Sequence, residues 1–348
     1  MKLLFRVKGV KNQFDICCQK LFCIIEDAFS AFDFNGNLLF KYTKGQSVSV
    51  CAVNNQVITH DLSVRKGLIF NGKNLVIEKE LDYLIEFSST NRNAYHLGNM
   101  IFPIVEIEDN AYRGMVDVMS WELLKKFPFR YGLNGIWQIL SNETFLSRKD
   151  NILTCHPLST GEEKWRIDIG SIMKCEHFSI YGGIHEFNGK LYFFVAERHT
   201  DNKSTLCIDI ETGALIQKLD NYIGWLYLAN DRFYIVSDTA ISILNPDTFA
   251  VEEIDISAIM KEHDWIIAWD KFIVKDHFLY FATMNIGSNT KPYVGVINMQ
   301  ERKLLWSQAI EVEQSWQNVS ELRVQDNRLY VLTHDNTLHI FEEELPQA

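Results

Sequence analysis

The sequence predicts an all-β chain folded as an eight-bladed β-propeller, a single domain over residues 1–348. Three observations predict it. First, one strand pattern recurs at a near-constant period. An aromatic of the second strand stands at Phe22, Phe102, Phe145, Tyr192, Tyr234, Tyr280 and Tyr330, with Val57 in the same place in blade 2. Neighbouring spacings are 35, 45, 43, 47, 42, 46 and 50 residues, the length of a four-stranded blade. Second, a last-strand segment recurs independently, for example as Asn37-Leu38-Leu39-Phe40, Glu163-Lys164-Trp165-Arg166 and Lys303-Leu304-Leu305-Trp306. Third, its eighth copy, Lys2-Leu3-Leu4-Phe5-Arg6-Val7, opens the chain, while the final unit stops at Leu338-His339-Ile340-Phe341. The N-terminal strand is therefore expected to pair into the C-terminal blade and close the ring, which removes a free edge. Seven blades is the alternative if residues 83–130, the least regular unit, form none.

The clearest unit is blade 5, residues 171–220. Its strand signals are Lys190–Ala196, Thr205–Ile210 and Ala214–Leu219, the last two joined by the tight turn Glu211-Thr212-Gly213. Short runs rich in aromatic and β-branched residues between Asn, Gly and Asp clusters read as antiparallel strands. Blade 1 (9–45) has middle strands Leu21–Glu26 and Phe29–Phe34, with Asn35-Gly36-Asn37 at a hairpin turn. Blade 2 (46–82) turns at Asn71-Gly72. Blade 3 (83–130) carries the polar insertion SSTNRNAYHLGN before Met100–Ile107. Its Trp121–Phe127 segment contains good helix formers and could be a short helix instead of a strand. Blade 4 covers 131–170. Blade 6 (221–257) turns at Asn245-Pro246-Asp247, and Ile256–Asp264, leading into blade 7 (258–311), is expected to form one helical turn. Blade 8 begins at Val312.

Composition bounds the function. The chain is 47% hydrophobic and 13% aromatic, which suits wedge-shaped blades whose facing sheets are filled by large flat side chains. The net charge is −11. That repels nucleic-acid phosphate and would steer a basic protein partner; solubility alone is the competing reading. The seven cysteines are odd in number and include no CxxC pair. The N-terminal apolar stretch is too short for a signal peptide, and no window approaches a membrane span. These point to a reduced, cytoplasmic protein with no membrane and no nucleic-acid partner.

The hairpin before the last strand is the most specific feature. It reads Ser159-Thr160-Gly161-Glu162-Glu163-Lys164-Trp165 in blade 4, Ile208-Asp209-Ile210-Glu211-Thr212-Gly213-Ala214-Leu215 in blade 5, and Ile297-Asn298-Met299-Gln300-Glu301-Arg302-Lys303-Leu304-Leu305-Trp306 in blade 7. This resembles the repeat of pyrroloquinoline-quinone-like propellers, in which an aliphatic-Asp-x-x-Thr-Gly-x-x-x-Trp stretch packs its tryptophan against the next blade. The quinone dehydrogenases of that family imply calcium and an Asp base, and often a vicinal disulfide, for which Cys17-Cys18 would be the pair. No Asp/Glu/Asn cluster can be assigned to calcium here. Cys17 and Cys18 adjoin a strand, where alternation would place neighbours on opposite faces.

Candidate contact residues fall into two groups. His60-Asp61 and His334-Asp335 occupy the same place in blades 2 and 8, and Glu197 and Arg198 lie in the equivalent loop of blade 5. The loop after strand two should lie on one face of the propeller. The competing reading of the His-Asp pairs is a side-chain bond to the turn backbone. The second group is Trp137, Trp225, Trp269 and Trp316, at roughly blade spacing, with Trp265 nearby and Tyr181 midway between Trp137 and Trp225. Counted from the second-strand aromatic these tryptophans sit in different registers. Trp265 and Trp316, in polar surroundings, are the better candidates for exposed interface anchors. No nucleophile elbow, phosphate loop or nucleotide fingerprint is present. The expectation is a non-enzymatic protein, without cofactor or metal, that binds another protein through one face. An immunity-type inhibitor of a bacterial toxin would suit. A quinoprotein-like enzyme or small-ligand sensor at the channel mouth is the alternative.

Overall fold

The computed structural model describes residues 1–47, 49–86, 96–107, 110–127, 136–284, 291–314 and 318–343. The fold is the expected eight-bladed β-propeller: eight antiparallel sheets follow one another along the chain. The chain divides into two compact units, residues 8–172 and residues 1–7 with 173–348.

The strand β1 (Lys2–Lys8) belongs to the second unit. The first unit then begins with β2 (Val10–Cys17), β3 (Lys20–Ile25), β4 (Ala28–Phe32) and β5 (Leu38–Tyr42), which form one sheet in that order. The next sheet is β6 (Val50–Val53), β7 (Gln56–Asp61), β8 (Lys66–Asn71) and β9 (Ile77–Leu81). The third is enlarged: β10 (Leu84–Glu86), β11 (His96–Leu97), β12 (Met100–Ile101), β13 (Ile104–Ile107), β14 (Asn110–Asp117) and β15 (Glu122–Phe127). The sheet β16 (Ile136–Leu140), β17 (Thr144–Lys149), β18 (Ile152–Pro157) and β19 (Trp165–Asp168) completes the unit, followed by the short α1 (Ile169–Met173).

Residues 83–130 are thus a blade. Its second strand runs from Met100 to Ile107 but is cut into β12 and β13, both paired to β14. Pro103 has no amide hydrogen for the ladder, so the strand breaks there; its carbonyl still accepts from Gly114 N at 3.0 Å. Phe102 falls in the break and is fully buried. The segment Glu122–Phe127 is strand β15, not a helix. Its alternating exposure and its pairing to β14 override the helix propensity of Leu and Lys.

The second unit contains β20 (Ser179–Phe187), β21 (Lys190–Ala196), β22 (Lys203–Asp209) and β23 (Leu215–Leu219). Then come β24 (Tyr227–Ala229), β25 (Arg232–Val236), β26 (Ala240–Leu244) and β27 (Val251–Asp255). The helix α2 (Ser257–His263) is the predicted helical turn. It leads to β28 (Ile267–Lys275), β29 (Phe278–Thr283), β30 (Tyr293–Asn298) and β31 (Lys303–Ala309). The last sheet is β32 (Val319–Gln325), β33 (Arg328–Thr333), β34 (Thr337–Glu342) and, as its fourth strand, β1. The chain start therefore completes the final blade, as expected from the sequence.

The core lies between neighbouring sheets. Tyr192, Cys207, Tyr222, Phe233 and Leu244 pack one such layer, and Leu279, Phe281, Ile254, Met260 and Ile297 the next. The hairpin before the last strand has a physical account. In six sheets an Asp or Asn at its start accepts the amide hydrogen two residues on: Asp33, Asn71, Asp117, Asp209, Asn245 and Asn298. Such Asx turns satisfy the turn backbone without water. In blade 7 the tryptophan of the motif does reach its neighbour, since Trp306 packs edge-on against Phe341 at 5.3 Å.

The vicinal cysteines depart from strand alternation. Cys17 ends β2, and Cys18 and Gln19 adopt left-handed φ of 50° and 59°. The turn brings the two free thiols to 3.4 Å. Burial, then the neighbouring Cys18, pushes the Cys17 thiol up to about 12, so it is held in the unreactive, protonated form at neutral pH.

Candidate functional site

A cleft of about 810 Å³ opens among three blades of the second unit. It lies where the second strands end and the first strands begin. Tyr181 and Phe194 come from β20 and β21. Trp225 comes from the segment before β24, and Trp269 from β28. The volume falls in the range of ligand sites.

Bulges in the innermost strands shape it. In β20 the register passes from Tyr181↔Phe194 to His185↔Tyr192, so four residues face two. In β28 it passes from Ile267↔Thr283 to Phe272↔Phe281, so five face two. Extra residues bend a strand and re-aim its side chains. Here they free Trp269, which is 59% exposed. In β20 the bulge residue Gly182 has φ +75°, and a Cβ there would stand 2.5 Å from the Trp225 ring. The indole therefore lies directly on the glycine backbone. Tyr181 sits 5.8 Å from Phe194 and 5.9 Å from Trp225, forming one continuous row of rings. Gly182→Ala is expected to cost about 1–3 kcal/mol, from the strained backbone and the displaced indole. Urea unfolding followed by tryptophan fluorescence checks this; an unchanged midpoint would remove Gly182 as the seat of Trp225.

The rim is charged. Glu197, Arg198, His199, Asp201, Lys203 and Asp238 line it. Glu197 is fixed, its Oε2 accepting from Thr200 Oγ1 and Asn202 Nδ2, each at 3.2 Å. The Asn202 amide also donates to the Met173 carbonyl at 2.8 Å.

The other sequence candidates fare differently. Trp265 is half-buried, stacked on His263 at 4.3 Å and near Tyr293 at 5.0 Å. It packs beside α2 against the core, so its polar sequence surroundings mislead. Trp316 and the side chain of Trp137 lie outside the described residues. His60 and Asp61 end strand β7 rather than follow it, and both are buried. The His60 Nδ1 lies 3.0 Å from Ser49 Oγ and 3.2 Å from the Ile85 carbonyl oxygen. Burial lowers the His60 pKa from its ordinary value. Asp61 accepts from Ser63 N at 2.9 Å and Ser63 Oγ at 2.5 Å. His334 and Asp335 lie in the turn after β33. Asp335 accepts from Thr337 N at 3.0 Å, and His334 Nδ1 from Asn318 N at 3.3 Å. Both pairs make turn and strand-end hydrogen bonds. Of the sequence candidates, Glu197, Arg198, Trp225 and Trp269 meet at the cleft.

In the sequence Tyr181 and Trp269 stand out by their spacing but are not favoured as contact residues. With Trp225 they are spaced 44 residues apart along the chain, one per blade. Counted back from the second-strand aromatics, Tyr181 and Trp269 both stand 11 residues away and Trp225 only 9, because β20 and β28 are bulged and β24 is not. Among the described residues, no group of three or more His, Cys, Asp or Glu side chains is placed to hold a metal ion. Among the described residues no helix is long and apolar enough to cross a membrane.

Known structures share this fold. The chain is similar to the computationally designed Ika8 protein, with a TM-score of 0.64 at 12% identity over 99% of this chain and 100% of that one. It is also similar to BamB from Moraxella catarrhalis, with a TM-score of 0.58 at 12% identity over 98% and 99%. At this identity the likenesses show the fold alone. In all, 869 solved chains match, so the architecture is widely reused and does not define an activity. No family model matches the chain, and no curated protein matches it in sequence.

Proposed function

We propose that this chain is a non-catalytic binding protein that holds another protein against the cleft formed by blades 5 to 7. One observation carries the reading: a 59% exposed tryptophan, Trp269, stands at the cleft beside Ile223, itself 44% exposed. Large apolar side chains exposed together around a pocket are the usual anchors of interfaces. The net charge of −11 favours a basic partner. A cytoplasmic immunity-type inhibitor that neutralises a basic toxin is the particular form we favour. We also place the chain as a divergent member of the pyrroloquinoline-quinone-like repeat family, on the strength of its Asx-turn hairpins and the Trp306 packing.

The test is capture of partners from native cell extract by the tagged chain and by its Trp269→Ala variant. A single stoichiometric basic protein is expected, released at high salt and bound at least about thirtyfold more weakly by the variant, the loss of a hot spot worth about 2 kcal/mol. Equal retention by both forms would refute the cleft as the docking surface. The cleft volume also suits a small-ligand sensor. A small molecule retained in native mass spectrometry without any protein partner would favour that reading.

A further inference from the structure

The aromatic faces and the rim of the cleft select the chemistry of its occupant. Four rings line it: Tyr181, Phe194, Trp225 and Trp269. The face of an aromatic ring carries negative charge density and attracts a cation, most strongly for tryptophan. Around the rings stand three carboxylates, Glu197, Asp201 and Asp238, against two cations, Arg198 and Lys203. Among the described residues, none of these five forms an ion pair. By contrast Asp270 and Lys271, next to Trp269, satisfy each other at 2.5 Å. The Glu197 carboxylate is already oriented by Thr200 and Asn202, so it need not be reorganised to meet a ligand charge.

We propose that the cleft anchors its partner by a cationic side chain, arginine or lysine, laid against the indole faces of Trp225 and Trp269, with its charge met by Glu197, Asp201 and Asp238. This rests on the protein-binding reading above and names the partner chemistry that reading needs. Two other occupants are weaker fits. An apolar anchor would leave the rim carboxylates unused. An anion held by Arg198 and Lys203 would face the ring faces and the carboxylate excess.

The probes are N-acetyl-arginine amide, N-acetyl-leucine amide and N-acetyl-glutamate amide, titrated into the full chain. The readout is the indole N–H signals of the eight tryptophans, assigned with single-tryptophan variants. Arginine amide is expected to shift the Trp225 and Trp269 signals saturably. Its affinity should fall about five- to tenfold in Trp269→Ala, and by a similar factor in Glu197→Gln and Asp238→Asn. Leucine and glutamate amides should bind at least about tenfold more weakly. Leucine amide binding as well as arginine amide would overturn the proposal in favour of an apolar anchor. Preferred glutamate amide would overturn it in favour of an anion, and the lack of a saturable shift with any probe would overturn it outright. Circular dichroism verifies that each variant is folded. The capture experiment separates the two levels. A partner lost in Trp269→Ala, with no arginine preference, leaves the docking surface standing and removes only the cation. A partner retained in Trp269→Ala removes both.

Discussion

A chain lacking residues 1–8 is expected to be largely insoluble, and its soluble fraction to unfold well below the temperature of the full chain. Those residues include β1, the fourth strand of the last sheet, paired to β34. Without it, β34 becomes an open edge with the sequence TLHIFE. Its Leu338, Ile340 and Phe341 side chains are buried in the native state, and an apolar unpaired edge templates aggregation. The loss includes a set of ladder hydrogen bonds at about 1 kcal/mol each. It also includes the packing of Met1 and Leu3 on the core around Phe341, and the Arg6–Glu311 ion pair at 2.8 Å. Together these come to roughly 5 kcal/mol or more, comparable with the whole stability of an ordinary domain. Soluble yield and thermal unfolding measure the effect. A synthetic peptide of residues 1–8, added in trans, is expected to restore part of it by strand addition. An unchanged melting temperature would mean that β1 contributes nothing to the last blade.

The second large effect is acid lability. His60, His185 and His339 are held neutral by burial, which lowers each pKa. His339 is pushed furthest, from 6.5 to about 4, by burial and then by Arg6, against the opposing pull of Asp335 and Glu311. Among the described residues its Nε2 has no hydrogen-bond partner. Its folded pKa lies below its unfolded one, so the unfolded chain takes up the proton first. Stability is then full above pH 6.5, falls as pH drops from 6.5 towards 4, and loses no more from this group below that. Between pH 7 and 4.5 His339 alone accounts for about 2.5 kcal/mol. Carboxylates such as Asp168 and Asp255, held low by their bonds to Ser171 and Ser257, act in a separate window below about pH 4. His339→Leu is similar in volume and forfeits no hydrogen bond at Nε2. It is expected to abolish most of that slope in the urea midpoint. A slope identical to the unaltered chain would show that His339 titrates normally.

The fold was legible in the sequence because a propeller repeats its constraints. Most second strands place a large ring at the same depth, as Tyr192, Tyr234, Tyr280 and Tyr330 do, and only blade 2 uses Val57. Six of the outer hairpins start with an Asp or Asn, and the last-strand segment recurs eight times, so the count survived strong drift elsewhere. Blade 3 was the weak point because Pro103 cuts its second strand into β12 and β13 and β11 is added to the sheet. The cleft was legible only in part. Spacing alone points to Tyr181, Trp225 and Trp269, but measuring them against the strands dismissed the match. Bulges change the residue count of a strand without moving its ends, and no local pattern announces them. Trp265 failed for the opposite reason: polar neighbours in sequence hid aromatic neighbours in space.

The shared last sheet also orders the making of the protein. β1 is made before the other described strands, and its partner β34 after them. At ordinary elongation rates the first strand waits on the order of tens of seconds. During that interval seven blades can collapse in sequence, but the eighth has no complete sheet. A nascent chain truncated before β34 would therefore present β1 without its partner strand.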